Sequence, residues 1–231
     1  MVFMYFFESC FATFTGFMLG FTIYAFGDFM DHWIALDSRD TLIRTKGDLL
    51  READAAVFTN LCLISPIVYS CVSQTLLNTS LRFSISHYLF LLTVQNTGYY
   101  MVHYMMHNNQ LLYKIHVFHH RFDTVTIPSS GNAVSSIEFI TAYIAPFVIG
   151  ALLVQPTEVT YLASIGTVAF LNMVIHTYEW KDSWWMPFLI SPEKHIDHHR
   201  RRFVHYAAPL LDIDRIVNLF YGNTQKIEKQ N

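Results

Sequence analysis

Charged residues are missing from five long stretches of the chain, and these gaps predict its architecture. Asp, Glu, Lys and Arg are absent from Ser9–Gly27, Ala55–Leu81, Phe83–Tyr113, Phe139–Thr157 and Val159–Tyr178. Each is long enough to cross a hydrocarbon core as a helix, which takes about 20 residues. The third exceeds that need, so its histidine-bearing end should emerge on the aqueous side. Gln155-Pro156-Thr157-Glu158 separates the last two stretches and reads as a tight hairpin turn with a helix-stopping proline. The first stretch reads as an uncleaved anchor, because Glu8 stands where a signal peptide would carry Lys or Arg.

Crossing parity then places the polar segments. If all five stretches span, the loop Asp28–Asp54, the segment Lys114–Glu138 and everything after Glu179 share one side. That side holds every Lys and Arg except Arg82, 14 of the 15 basic residues. Such asymmetry marks the cytoplasmic face. Composition agrees with a bilayer environment: 52% of residues are hydrophobic and 14% charged, against about 25% charged in an average globular domain. A net charge of −3 gives no basic excess for nucleic acid. Cys10, Cys62 and Cys71 lie far apart in apolar sequence and read as small buried hydrophobes, without a disulfide framework.

The twelve histidines are the anomaly. His103-Tyr-Met-Met-His107 has i, i+4 spacing, which puts both imidazoles on one helix face. His116-Val-Phe-His119-His120 and His195-Ile-Asp-His198-His199 share i, i+3, i+4 spacing, predicting three rings along one helical stripe. His176, four residues after Asn172, adds a fourth group. Topological parity brings all four groups to one membrane face. Imidazole suits iron, copper, zinc or nickel, and rings on facing helices can close around two metals. A structural zinc site needs only about four ligands and leaves the others unexplained. His32 and His87 read as surface or capping residues, and His205 lies near the last group without a partner at ligand spacing.

At these residues the chain resembles the fatty acid hydroxylase/sterol desaturase superfamily. "VHYMMHNNQLLYKIHVFHHRFD", "IHTYEW" and "HIDHHRRRFVHY" are similar to its histidine boxes, and the resemblance covers about residues 85–222. It implies an all-α polytopic membrane protein with four to five transmembrane helices and a cytosolic histidine-rich helical cap. The implied metal ligands are His103, His107, His116, His119, His120, His176, His195, His198 and His199. Asn172 stands where some members carry a further histidine and is expected to act through a water. Glu138, Asp197 and His205 are the expected outer partners of the ligands, with Asp123 a further carboxylate to consider. Three departures, at Ser135–Glu138, His205–Ala207 and Asp214–Gly222, blur the subfamily.

The implied activity is O2-dependent hydroxylation or desaturation of a lipid, sterol or fatty acyl/sphingoid in type, with two iron ions as cofactor. Breaking an unactivated C–H bond lies beyond ordinary side-chain acids and bases. The chain shows no G-x-G-x-x-G and has no room for a flavin or haem module. Electrons are therefore expected from a separate donor, cytochrome b5 with its reductase, or ferredoxin in a bacterium. Arg200-Arg201-Arg202 offers either a docking patch or a headgroup anchor. The expected location is the endoplasmic reticulum with the site facing the cytosol, or the inner membrane of a bacterium. A metal-binding scaffold or transporter is the competing class, although transporters place ligands near the midplane and these groups lie at span ends. The expected divisions are N-terminal spans and loop (1–84), a histidine-box domain (85–222) and a polar tail (223–231). Tyr99, Tyr100, Tyr104, Trp180, Trp184 and Trp185 read either as the lining of a substrate mouth or, the commoner role at a membrane boundary, as interfacial anchors.

Overall fold

A computed structural model describes residues 2–183 and 186–221, and among them the backbone is helical with no strand. Trp184, Trp185 and the tail 223–231 lie outside the described residues. Helix α1 (Val2–Trp33) is followed after a two-residue break by α2 (Leu36–Phe58), which passes through a π turn (Thr59–Ile64) into α3 (Ser65–Thr75). Helix α4 (Ile85–Asn108) leads to the short α5 (Gln110–His116). A one-turn α6 (Ser136–Glu138) enters a second π turn (Phe139–Ile144) and then α7 (Ala145–Val154). Helices α8 (Glu158–Ile175), α9 (Pro192–Arg201) and α10 (Ile213–Tyr221) follow.

Four helical segments are long and apolar enough to cross a membrane: Phe7–Trp33, Leu36–Thr75, Ser136–Val154 and Glu158–Ile175. The fifth expected span forms as α4, which has the length, 24 residues, or about 36 Å, but is too polar to count with the others. Four of its polar residues, Gln95, Asn96, His103 and His107, are buried. The segment Tyr206–Leu211 lies along α4, with Asn96 bonded to the backbone of Leu210 and Leu211 and His103 bonded to Tyr206 O. Protein thus covers the helix along the face that carries these four residues.

The region 28–54, expected as a loop, is helical apart from the break after Trp33. Ser38, Leu42, Leu49, Ala53 and Val57 are buried along α2, and that amphipathic spacing lets a charged sequence hold a helix against the bundle. Lys46 departs from helical geometry (φ −143°, ψ 41°) and bends α2 there.

Both π turns directly precede a proline near the start of the next helix, Pro66 in α3 and Pro146 in α7. Proline removes one N–H and its ring crowds the carbonyl four residues back, so a widened turn accommodates it without ending the helix. At the first of these turns α1 approaches to backbone contact. A Cβ on Gly20 would stand 1.9 Å from Leu61 O.

The two ends of the bundle differ. At one end the loop before α4 meets the α7–α8 turn: Asn78 pairs with Thr157, and Ser84 N donates to Thr160 Oγ1. Gln155 takes a left-handed conformation (φ 43°) and Thr157 caps α8, as the predicted hairpin requires. At the other end the polar segments are tied together by Asp31 with Ser129 N, Ser38 with Glu179, and Lys46 with Asp123. All four histidine groups lie at this second end.

Gly20→Ala should lower stability by about 1–3 kcal/mol, because the backbone it would strike cannot move independently. Gly166→Ala, whose Cβ would meet nothing within 4 Å, should be neutral or stabilise by up to about 1 kcal/mol through helix propensity. Thermal midpoints of the two variants in nanodiscs measure the contrast.

Candidate metal centre

Local sequence rules set the starts of the helices that carry histidines. The Asn109 side chain accepts from the backbone of Leu111 and Leu112 and starts α5. Ser191 caps α9 ahead of Pro192, accepting from Lys194 N. Ser135 caps the turn bearing Glu138. These caps satisfy helix-start N–H groups and fix where each helix begins, and therefore which way its rings point.

The nine expected histidines are brought together, all buried, in two adjacent groups. His103, His107, His116, His120 and His198 form one; His119, His176, His195 and His199 form the other. Within each group, one ring nitrogen from every residue lies within 4.8 Å of those of the others. The predicted single stripe is corrected here, because each H-x-x-H-H box divides. The i and i+4 rings of a box stay together, and the i+3 ring crosses to the other group. On a helix i and i+4 are offset by about 40° one way and i and i+3 by about 60° the other, so a box placed between two sites serves both.

Hydrogen bonding alone cannot account for this packing. His103 Nε2 lies 3.0 Å from His116 Nε2, 3.2 Å from that of His107 and 3.1 Å from that of His198. His176 Nε2 has three such neighbours, His195, His199 and His119, at 2.9, 3.2 and 3.3 Å. A neutral ring nitrogen has one hydrogen or one lone pair, enough for one partner. Three close nitrogens are what a shared cation gathers, and separations near 3 Å fit donors bonded at about 2.0–2.1 Å. The residues present therefore fit a pair of metal ions.

The far sides of the rings support the same protonation state. Nδ1 of His103, His176 and His198 donates to the carbonyls of Tyr206, Asn172 and Val204 at 2.6–2.7 Å, and His119 Nδ1 faces Ala133 O at 3.4 Å. A carbonyl only accepts, so Nδ1 carries the hydrogen and Nε2 presents its lone pair. His116 Nδ1 donates to Glu138 Oε1 at 2.6 Å. Burial first, and repulsion from neighbouring rings next, hold His116, His119, His120, His195, His198 and His199 far below the ordinary imidazole range. Burial takes His176 down to about 4. Neutral imidazoles are the form that binds metal.

Of the expected outer partners, only Glu138 touches one of the nine rings. Asp197 pairs with Arg201 and lies 3.6 Å from His205, because its place between His195 and His198 turns it out of the cluster. His205 accordingly meets Asp197, away from the nine rings. Asp123 pairs with Lys46 at 2.5 Å. Asn172 sits one turn before His176 and orients it through its backbone carbonyl, while its Nδ2 donates to Gly131 O at 2.7 Å. Most orienting groups are backbone carbonyls, which carry no sequence signature. Gly131 also escapes sequence reasoning: a Cβ there would stand 2.9 Å from both His176 Nδ1 and Asn172 Nδ2, so only glycine lets that turn close on the site.

Among the three consecutive arginines, Arg201 is engaged by Asp197 and Arg200 lies over Tyr178. Neither a curated protein nor a solved structure matches the chain. The family model described as fatty acid hydroxylase matches residues 88–218, more than half of the chain and a span that contains all nine clustered histidines. On that match, the chain belongs to the fatty acid hydroxylase family.

Proposed function

We propose that the protein is a membrane-bound, O2-dependent lipid oxygenase that holds two iron ions and hydroxylates or desaturates a sterol or a fatty acyl/sphingoid lipid. The observation that carries this reading is the convergence of nine buried, neutral imidazoles into two adjacent groups at one end of a membrane-sized bundle. The first ion would be held by His103, His107, His116, His120 and His198, and the second by His119, His176, His195 and His199. Bound there, the two irons would supply the O2 activation and electron transfer that attack on an unactivated C–H bond requires.

The chain's own part is to position and to exclude. Tyr206, Val204, Asn172 and Ala133 fix ring tautomers through their carbonyls, and Glu138 strengthens His116 as a donor. The apolar surroundings keep water away from the reacting carbon. Electrons come in this reading from a separate donor, cytochrome b5 with its reductase or ferredoxin. The active face is the cytosolic face of the endoplasmic reticulum or of a bacterial inner membrane, in line with the positive-inside bias.

Purified protein should carry about two irons per chain, in keeping with a paired cluster. Stripping them with a chelator should lower the thermal midpoint, and adding Fe(II) should restore it; a midpoint indifferent to iron would exclude the metal assignment. Glu138→Gln should weaken iron retention about 10–100-fold, the usual cost of losing a ligand's orienting partner. Asp197→Asn should leave retention unchanged. Elemental analysis after graded chelation reads both. Expression in a yeast panel deficient in sterol and lipid hydroxylases should yield a new hydroxyl or double bond by lipid mass spectrometry. That product should vanish in His119→Ala and persist in His205→Ala. Unchanged lipids in every strain, with iron and an electron donor supplied, would overturn the oxygenase reading.

A further inference from the structure

Beside the metal centre, inside the helix bundle, lies an apolar chamber whose empty space, open mouth included, is about 760 Å³. It is walled by α1, α3, α4, α7, α8 and both π turns, and its end toward the cap is formed by Asn132 and Asn172. That wall is one residue thick, since Gly131 lies directly against His176. The lining residues that keep some exposure are Leu19, Ser65, Val68, Ile144, Ile165 and Ala169. All six belong to membrane-spanning segments, so the mouth opens toward hydrocarbon and away from the polar cap.

One lining residue is out of place. Gln95 is fully buried, and neither its Nε2 nor its Oε1 has a hydrogen-bond partner. Its neighbour Asn96 is used in full by the backbone of Leu210 and Leu211, so α4 can satisfy an amide where structure alone demands it. An unpaired buried amide is costly, and more so where no bulk water reaches it. Gln95 displays one donor and one acceptor side by side, and a hydroxyl group answers both. The lining contains no Lys, Arg, His, Asp or Glu, so a carboxylate or phosphate would enter without a counter-charge.

We propose that this cavity seats a neutral lipid, admitted sideways from the bilayer, whose hydroxyl group is held by the amide of Gln95. The proposal rests on the oxygenase reading for its orientation only. Gln95 precedes His103 by eight residues on the same helix, on the order of 12 Å along its axis. The hydroxyl is therefore held remote from the carbon that reacts, and Gln95 sets that distance. Gln95 is a specificity residue in this scheme and takes no part in the chemistry.

The test uses the full iron-loaded chain in phosphatidylcholine nanodiscs, with an octadecan-1-ol carrying a mid-chain diazirine as photoprobe. Labelled peptides should map to the cavity walls, and Ala169→Phe, which fills the cavity from α8, should suppress labelling while iron content holds. Octadecan-1-ol should compete about tenfold better than octadecane or octadecanoate, the worth of hydrogen bonds made to an otherwise unpaired group. Gln95→Leu should erase that preference and raise the thermal midpoint of the ligand-free protein. Gln95→Met, closer in length, serves the same purpose should the leucine variant misfold. Equal competition by alcohol and hydrocarbon on the unmodified protein would mean that a water serves Gln95, and the proposal would fall. A preference that survives in Gln95→Leu would overturn it equally. Iron content and product formation are scored separately: alcohol preference without product overturns only the oxygenase reading, and product without alcohol preference overturns only this one.

Discussion

Nine neutral imidazoles buried within a few ångströms of each other are an unstable arrangement unless something positive sits among them. Their Nε2 atoms face one another, and those of His103 and His176 each face three. Much of the cap follows from this constraint. The short helices α5 and α9 are too brief to persist alone and bury little beyond their histidines. Their side-chain caps and the carbonyls behind the rings hold them in a geometry that a bound cation would complete. Metal binding and folding of the cap are in this sense one free-energy term.

Helix α4 shows how the membrane requirement and the chemistry are reconciled. A helix that carries two of the nine histidines and two buried amides is too polar to face lipid along its whole length. The fold answers by packing α7 and α8 against it and laying Tyr206–Leu211 along it, so most of its polar atoms find protein partners. The Gln95 amide has no partner at either atom, and it is also the polar residue of α4 that faces the cavity. Polar groups within spans face the protein interior, and here that interior contains empty space beside the metal centre.

The π turns and glycines belong to the same economy of space. Widening the helix before Pro66 and Pro146 places Leu61, Phe139 and Tyr143 on the cavity wall. Gly20 permits α1 to close against Leu61. At the other end of the cavity Gly131 lets a bare backbone turn separate the apolar chamber from His176. The cavity is bounded by residues whose value lies in what they leave out.

Much of the architecture was legible because the bilayer enforces it. Long uncharged stretches must become helices, since no other local structure satisfies backbone groups in hydrocarbon, and crossing parity put the four histidine groups on one side. Spacing showed that rings share helix faces, because 3.6 residues per turn is a local property. Residues 28–54 look like a loop in one dimension, since the helix there depends on the bundle that Leu42, Leu49 and Val57 pack against. What tertiary structure alone decided is the division of each box between two groups, the choice of Glu138 over Asp197 and Asp123 as ring partner, and the isolation of Gln95. Each depends on what lies opposite a side chain in space, and a one-dimensional pattern fixes only the direction in which that side chain leaves its own helix.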